Sequence, residues 1–309
     1  MKFRMPRSLS PERVPASPKP ATEVSVRSRI HFALAALAAL ALSTLQPAGA
    51  ADTPDPAADA KAFRDYFVNK FPNVKLEDFV NGPYALDGDM RRQWEEKEQF
   101  PPYEFSLEMG KEMFAKPFNN GKRYADCFEN QGIGIKQTYP YFDEREGKVV
   151  TLELALNRCR EKNGEAVLSY VGDEMAALTA YMAFTSRGRP FAIKVPDDPR
   201  ALEAYQNGKR YFYTRRGQLN FSCATCHVQN PGERMRAEVL APALGILNAM
   251  PIYRSEWGGM GTISRRFTTC NSQIRGVPLE PQAEEYRDLE YYLSYVSNGL
   301  PIAGPGARP

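Results

Sequence analysis

Apolar positions recur at helical spacing in several stretches of the 309-residue chain. Within residues 61–71, Phe63, Tyr66, Phe67 and Phe71 stand at i, i+3, i+4 and i+8, which aligns their rings on one helix face. Two further helices are expected around residues 107–114 and 171–184. Another is expected over roughly residues 200–213, opened by Asp198 as cap and Pro199 in the first turn. Near the end of the chain, Tyr286, Leu289, Leu293 and Val296 form one apolar stripe, closed by Asn298-Gly299 as a left-handed cap and Pro301 as a stop. Such a stripe reads as core packing. Strict alternation never extends beyond a few residues, so the expected class is mainly α with long loops. Residues 51–60 read as a flexible leader. Residues 194–200, with two prolines and no apolar periodicity, read as a linker.

The pattern is duplicated. Glu174, Leu178, Tyr181, Ser186, Gly188 and Pro190 recur as Glu285, Leu289, Tyr292, Ser297, Gly299 and Pro301, at a constant offset of 111. The same offset carries Cys159 onto Cys270. Upstream, Gly110-Lys-Glu-Met-Phe114 resembles Gly208-Lys-Arg-Tyr-Phe212 at an offset of 98, and at nearly that shift Cys127 lies opposite Cys226. Two helical domains in tandem are expected, residues 51–193 and 194–309, as copies of one fold with different loop lengths.

Composition narrows the chemistry. Lys plus Arg number 40 against 37 Asp plus Glu, which leaves no nucleic-acid footprint. Two histidines exclude a multi-histidine metal centre. Residues 1–50 read as a signal peptide: a long basic stretch, an apolar run over residues 32–42, and Ala48-Gly-Ala50 as the cleavage site. The run falls short of the ~20 residues that span a bilayer, so cleavage near Ala50, a periplasmic location and no membrane span in the mature chain are expected. His31 leaves with this segment, and the net charge of +3 becomes −2. One histidine and five cysteines remain.

That histidine closes Cys223-Ala-Thr-Cys226-His227, the C-x-x-C-H pattern that attaches haem c through two thioethers and supplies one axial ligand. The βαβ context of a redox C-x-x-C is missing. With no second histidine, the other axial donor is a methionine or a cysteine. Met235, Met250 and Met260 lie downstream. Met260 is the ordinary electron-transfer choice, and Cys270 is the alternative. The first copy has Ala125-Asp-Cys-Phe-Glu-Asn-Gln131 where the motif should be, and no histidine, so it holds no haem. If Cys226 and Cys270 flank a haem in the second copy, their counterparts Cys127 and Cys159 can close on each other as a disulfide, provided their Cα atoms approach to ~4.4–6.8 Å. Cys270 is then the lone thiol, with Arg265 and Arg266 just before it and Arg254 and Arg275 nearby. Positive charge and a metal both favour thiolate. A guanidinium also grips oxyanions bidentately.

Cys223-Ala-Thr-Cys226-His227, Arg265-Arg266-Phe-Thr-Thr-Cys270-Asn271 and the doubled domain together resemble the SoxA family, catalytic cytochromes of the periplasmic SoxAX complexes of bacterial thiosulfate oxidation, over about residues 60–300. The resemblance implies two cytochrome c-like domains, one covalent haem c on Cys223 and Cys226, and His227 as proximal ligand. It implies Cys270 as distal ligand carrying an extra sulfur, and Arg266 as active-site arginine. The missing first motif places the chain in the single-haem branch, with a Cys127–Cys159 disulfide at the vacant site. The implied reaction is L-cysteine S-thiosulfotransfer: thiosulfate is joined oxidatively to a cysteine of the SoxYZ carrier, and electrons leave through a SoxX-type cytochrome c partner. Two other readings are a thiosulfate dehydrogenase forming tetrathionate, and a plain electron-transfer cytochrome with Met260 on iron.

Overall fold

Asp55 starts the first helix, α1 (Pro56–Lys70): its carboxylate accepts from the N–H groups of Ala57 and Ala58, and Pro56 occupies the first turn. The computed structural model describes residues 55–236 and 238–308, so the leader through Ala50 lies outside the described residues. Phe63 and Phe67 are buried on the inner face of α1. Tyr66, aligned with them by spacing, is 42% exposed, because its hydroxyl donates to the Val228 carbonyl at 2.8 Å. Lys70 Nζ reaches the same carbonyl at 3.0 Å and that of Gln229 at 2.9 Å. The outer edge of α1 thus tethers the backbone that follows the C-x-x-C-H motif.

The short helix α2 (Gly88–Lys97) is capped by Asp87 and buries no residue completely. Next come α3 (Glu104–Ala115), a hairpin of β1 (Tyr141–Asp143) and β2 (Lys148–Val150), α4 (Leu152–Lys162) and α5 (Asp173–Phe184). The second copy runs α6 (Pro199–Tyr213), a ribbon of β3 (Arg234–Met235) and β4 (Glu238–Val239), then β5 (Ile252–Arg254), β6 (Gly259–Gly261), α7 (Ile263–Gln273) and α8 (Glu284–Val296). The final strand β7 (Gly306–Arg308) adds parallel to β5, opposite β6. The protein is mainly α, with strands confined to three small ribbons. The apolar stripes locate the helices, and the caps set their ends: Asp198 accepts from Arg200 N–H at 2.8 Å with Pro199 beside it.

The offset of 111 governs structure as well as sequence. It maps β1, β2, α4 and α5 onto β5, β6, α7 and α8, and the cap of α4 onto the cap of α7. Thr151 accepts from Leu154 N–H at 3.1 Å, and Thr262 accepts from Arg265 N–H at the same distance. The two copies meet about a pseudo-twofold axis. Gly188 N–H donates to Ile302 and Gly299 N–H to Phe191, at 2.9 and 3.0 Å; Phe191 N–H donates to Leu300 and Ile302 N–H to Arg189, at 3.0 and 2.8 Å. Each of these bonds is the image of another under the repeat. Although α1 precedes the linker at residues 194–200, Phe63, Phe67, Phe79 and Val80 pack in the core of the second copy, with Phe212, Tyr292 and Leu293.

Within each copy the first and last helices cross backbone against backbone. A Cβ on Gly110 of α3 would stand 1.9 Å from the Ala177 carbonyl oxygen of α5; one on Gly208 of α6 would stand 2.0 Å from that of Asp288 on α8. Ala177 and Asp288 are themselves 111 residues apart. By helix propensity alone, alanine at Gly208 would stabilise by about 0.8–1 kcal/mol. The crossing reverses the sign, because a methyl group there forces the helices apart. Gly208→Ala is expected to cost about 3 kcal/mol, read as a lowered urea midpoint. An unchanged or raised midpoint would show that the crossing is loose.

Candidate active site

The second copy holds a cavity of about 120 Å³ between α6, α7, α8 and the β5–β7 ribbon. Its apolar walls are Phe212, Phe267, Leu289, Leu293, Met250 and Ile252. Its chemistry comes from Cys223, His227, Cys270, Arg266, Arg254 and Arg308.

The motif is wound by its own side chains. Ser222 N–H donates to Thr225 Oγ1 and Thr225 N–H donates to Ser222 Oγ, both at 3.1 Å. The chain then forms one wide turn, Thr225–Gln229, of the i→i+5 kind found at functional sites. His227 Nδ1 lies 2.8 Å from the Ala241 carbonyl oxygen. A carbonyl can only accept, so Nδ1 carries the proton and Nε2 is left as a lone-pair donor. Burial holds the imidazole neutral, with its pKa pushed down to about 4; the Ala241 hydrogen bond works against this and the Arg266 charge works with it. This is the form that ligates a metal.

Burial pushes the Cys223 thiol up to about 11, with Cys270 adding to the rise and Arg216 opposing it. Arg216 Nη1 is 4.0 Å from Cys223 Sγ. Burial also raises Cys226, again with Cys270 adding and Arg266 opposing. Cys270 and Cys223 both line the cavity. One turn before Cys270 on α7, Arg266 borders the cavity with Nη1 buried and without a hydrogen-bond partner. A buried guanidinium nitrogen left unpaired is costly, so a ligand in the cavity is its natural acceptor. Two thiols, a neutral imidazole, apolar walls and an orphaned donor together fit haem c with an anion beside it.

The methionines divide differently from the sequence expectation. Met260, the ordinary choice for an axial ligand, does not line the cavity. It is buried on β6 against Tyr103, Ala176, Ala180 and Ala307 and faces an outer groove with Asp173, Trp257 and Arg265. The electron-transfer reading with Met260 on iron is corrected on this ground. Met235 is 40% exposed. Met250 does form part of the cavity wall, at the position that Tyr139 holds in the first copy. Sequence reasoning also passed over Arg216 and Arg308. Neither belongs to a motif, and a three-residue strand such as β7 leaves no periodic signal.

In the first copy the same frame is closed. Cys127 and Cys159 form a disulfide with Cα atoms 5.9 Å apart. Phe114, Leu156, Leu178 and Met182, the counterparts of Phe212, Phe267, Leu289 and Leu293, pack into a solid core. Tyr124, 1% exposed, fills its centre: it stacks on Phe114 at 5.8 Å, meets Phe118 edge-on at 4.9 Å, and accepts from Arg160 at 3.0 Å. Arg266 has Ala155 as its counterpart.

A family model described as the SoxA/TsdA cytochrome c domain matches residues 109–191, the copy without C-x-x-C-H. Over 279 residues the chain is 49% identical to the L-cysteine S-thiosulfotransferase subunit SoxA of Allochromatium vinosum, covering 90% of this chain and 99% of that relative. The subunit of the same name from Chlorobaculum tepidum is 50% identical over 251 residues, 81% of this chain and 87% of the relative. The chain belongs to the SoxA family. The crystal structure of SoxXA from P. pantotrophus matches with a TM-score of 0.62 at 30% identity, over 68% of this chain and 79% of that one. As a SoxA-family cytochrome c, the chain uses haem c.

Removing the cross-link from the closed copy separates scaffold from chemistry. The disulfide closes a loop of 32 residues, so the double variant Cys127→Ala, Cys159→Ala is expected to lose about 3 kcal/mol in denaturant unfolding while the haem c content is retained. An unchanged midpoint would mean that the Tyr124 core alone holds this copy.

Proposed function

We propose that this chain is the catalytic subunit of a periplasmic L-cysteine S-thiosulfotransferase, joining thiosulfate oxidatively to a cysteine of the SoxYZ carrier and passing electrons to a SoxX-type cytochrome c subunit. One observation carries the reading: Cys270 and Arg266 lie one helical turn apart on the wall of the cavity that His227 also lines, and Arg266 Nη1 has no partner. Cys223 and Cys226 would hold a single haem c by thioethers, and His227 Nε2 and Cys270 Sγ would be the donors offered to its iron. A single group is expected because the first copy lacks a histidine at its vacant motif and its cysteine pair is closed. When bound, haem c supplies a one-electron acceptor beside a thiolate.

The remaining chemistry belongs to side chains of the chain. Arg266 takes the sulfonate oxygens of thiosulfate, offsetting their charge and turning the terminal sulfur toward Cys270. Cys270 is the sulfur-handling residue. Forming a sulfur–sulfur bond between thiosulfate and the carrier thiolate releases two electrons, which leave one at a time to the cytochrome partner; the carrier thiol's proton goes to solvent. The apolar walls exclude water from the anion site, which strengthens the grip of the guanidinium. Export by residues 1–50, with cleavage near Ala50, completes the reading. Among the described residues no helix is long and apolar enough to cross a membrane.

The test is transfer of thiosulfate to the purified carrier, followed by the mass of the carrier. Cys270→Ser is expected to abolish conjugation with haem still attached, and Arg266→Gln to lower it by about 10²–10³-fold. Undiminished conjugation in Cys270→Ser contradicts the reading, as does tetrathionate as the product when carrier is present.

A further inference from the structure

Three arginines border the cavity, and only Arg266 is used above. The other two stand together: β7 runs parallel to β5 with Arg308 in register with Arg254, so both side chains start from neighbouring strands on one face. Arg254 is 3% exposed; it pairs with Glu238 and with Glu256 at 3.2 Å, yet its Nε is buried without a partner. The hydrogen bonds of Arg308 go only to neutral groups. Its Nη1 donates to the Ala307 carbonyl at 3.0 Å and its Nη2 to that of Val80 at 2.9 Å, and it lies over the Tyr84 ring at 5.1 Å. Among the described residues no carboxylate lies within ion-pair distance of Arg308; burial works against its charge, and the more distant Glu98 carboxylate offsets this only in part. A guanidinium in that setting with no anion in direct contact is stabilised by one that arrives in the cavity.

We propose that Arg308, with Arg254 beside it, forms the edge of the cavity that receives the two propionate carboxylates of the haem, fixing its orientation and raising its potential. The inference rests on the haem-binding reading above. In haem, the two vinyl-bearing pyrroles and the two propionate-bearing pyrroles occupy opposite edges. Cys223 and Cys226 claim the vinyl edge, and the arginine against that edge is Arg216, with Nη1 4.0 Å from Cys223 Sγ. The carboxylates therefore point to another part of the cavity, and the β5–β7 ribbon supplies the cations there.

The closed copy is an internal control. At the same offset it carries Asp143 in place of Arg254 and Asp197 in place of Arg308, and residue 197 lies in the linker with no strand. Arg266 is likewise replaced, by Ala155. Every cavity arginine is missing from the copy that has lost the haem motif, while the helix crossing, the hairpin and the threonine cap are kept. These arginines follow the cavity and not the scaffold.

The experiment uses the haem-loaded protein. The midpoint potential is read by spectroelectrochemistry, and the propionate-bending bands by resonance Raman. Removing a cation favours the ferric state, so Arg308→Gln is expected to lower the potential, moving the oxidised-to-reduced ratio at fixed poise by about tenfold (59 mV for one electron). The propionate bands are expected to shift in Arg308→Gln and in Arg254→Gln. Arg308→Lys keeps the charge but loses the fork, so it should restore the potential while the band still shifts. If Arg308→Gln does not accumulate, the Raman bands of Arg308→Lys decide. Haem-loaded variants with unchanged potential and unchanged bands overturn the proposal alone. A wild-type chain without covalent haem overturns both this and the reading on which it rests.

Discussion

The contact on which the rest depends is the crossing of two helices at a residue with no side chain. Gly110 against Ala177 and Gly208 against Asp288 let backbone touch backbone, and no other residue allows an approach that close. With that distance fixed, the hairpin and the threonine-capped helix that follow have a set place to pack. The side of the crossing then encloses a volume of fixed size, walled by Phe114, Leu156, Leu178 and Met182 in one copy and by Phe212, Phe267, Leu289 and Leu293 in the other. Function lies in whether that volume is filled.

One copy fills it with Tyr124 and closes it with a disulfide; the other leaves it open. The difference traces to the connection between the first helix and the hairpin, where the repeat offset rises from 98 to 111. The second copy is longer there by 13 residues. That connection includes the C-x-x-C-H turn, the β3–β4 ribbon and the Ala241 carbonyl that fixes the His227 tautomer. The extra length thus supplies what orients the His227 ring as well as the motif itself. The arginines follow the same division, present around the open volume and replaced by Ala155, Asp143 and Asp197 in the closed one.

Much of this was legible in the sequence, for physical reasons that differ by feature. Helices announce themselves because a buried face repeats every 3.6 residues, as Phe63 with Phe67 and Leu289 with Leu293 do. The motif is legible because thioether attachment demands one fixed spacing. The duplication is legible because both copies keep the same crossing and the same cap. Tyr66 misleads: its place in the stripe is apolar, but its hydroxyl is needed at the Val228 carbonyl and the ring stays at the surface. The side on which Met260 lies is set by the alternation of a three-residue strand, too short to read from a pattern. Arg308 reaches the cavity only because β7 returns from the far end of the chain to pair with β5, and no local signal encodes that pairing. Nor does the linker reveal that α1, which precedes it, belongs to the core of the second copy.

The central claim is one frame used twice, once closed by a cysteine pair and once open around the cavity proposed to hold a single haem, with Cys270 left unpaired. It is tested most directly by intact-mass and peptide mass spectrometry of the exported chain, with thiols alkylated before and after reduction. The account predicts one haem on the peptide containing Cys223 and Cys226, and Cys127 and Cys159 alkylated only after reduction. Two haems, no haem, or a disulfide that includes Cys270 would contradict it.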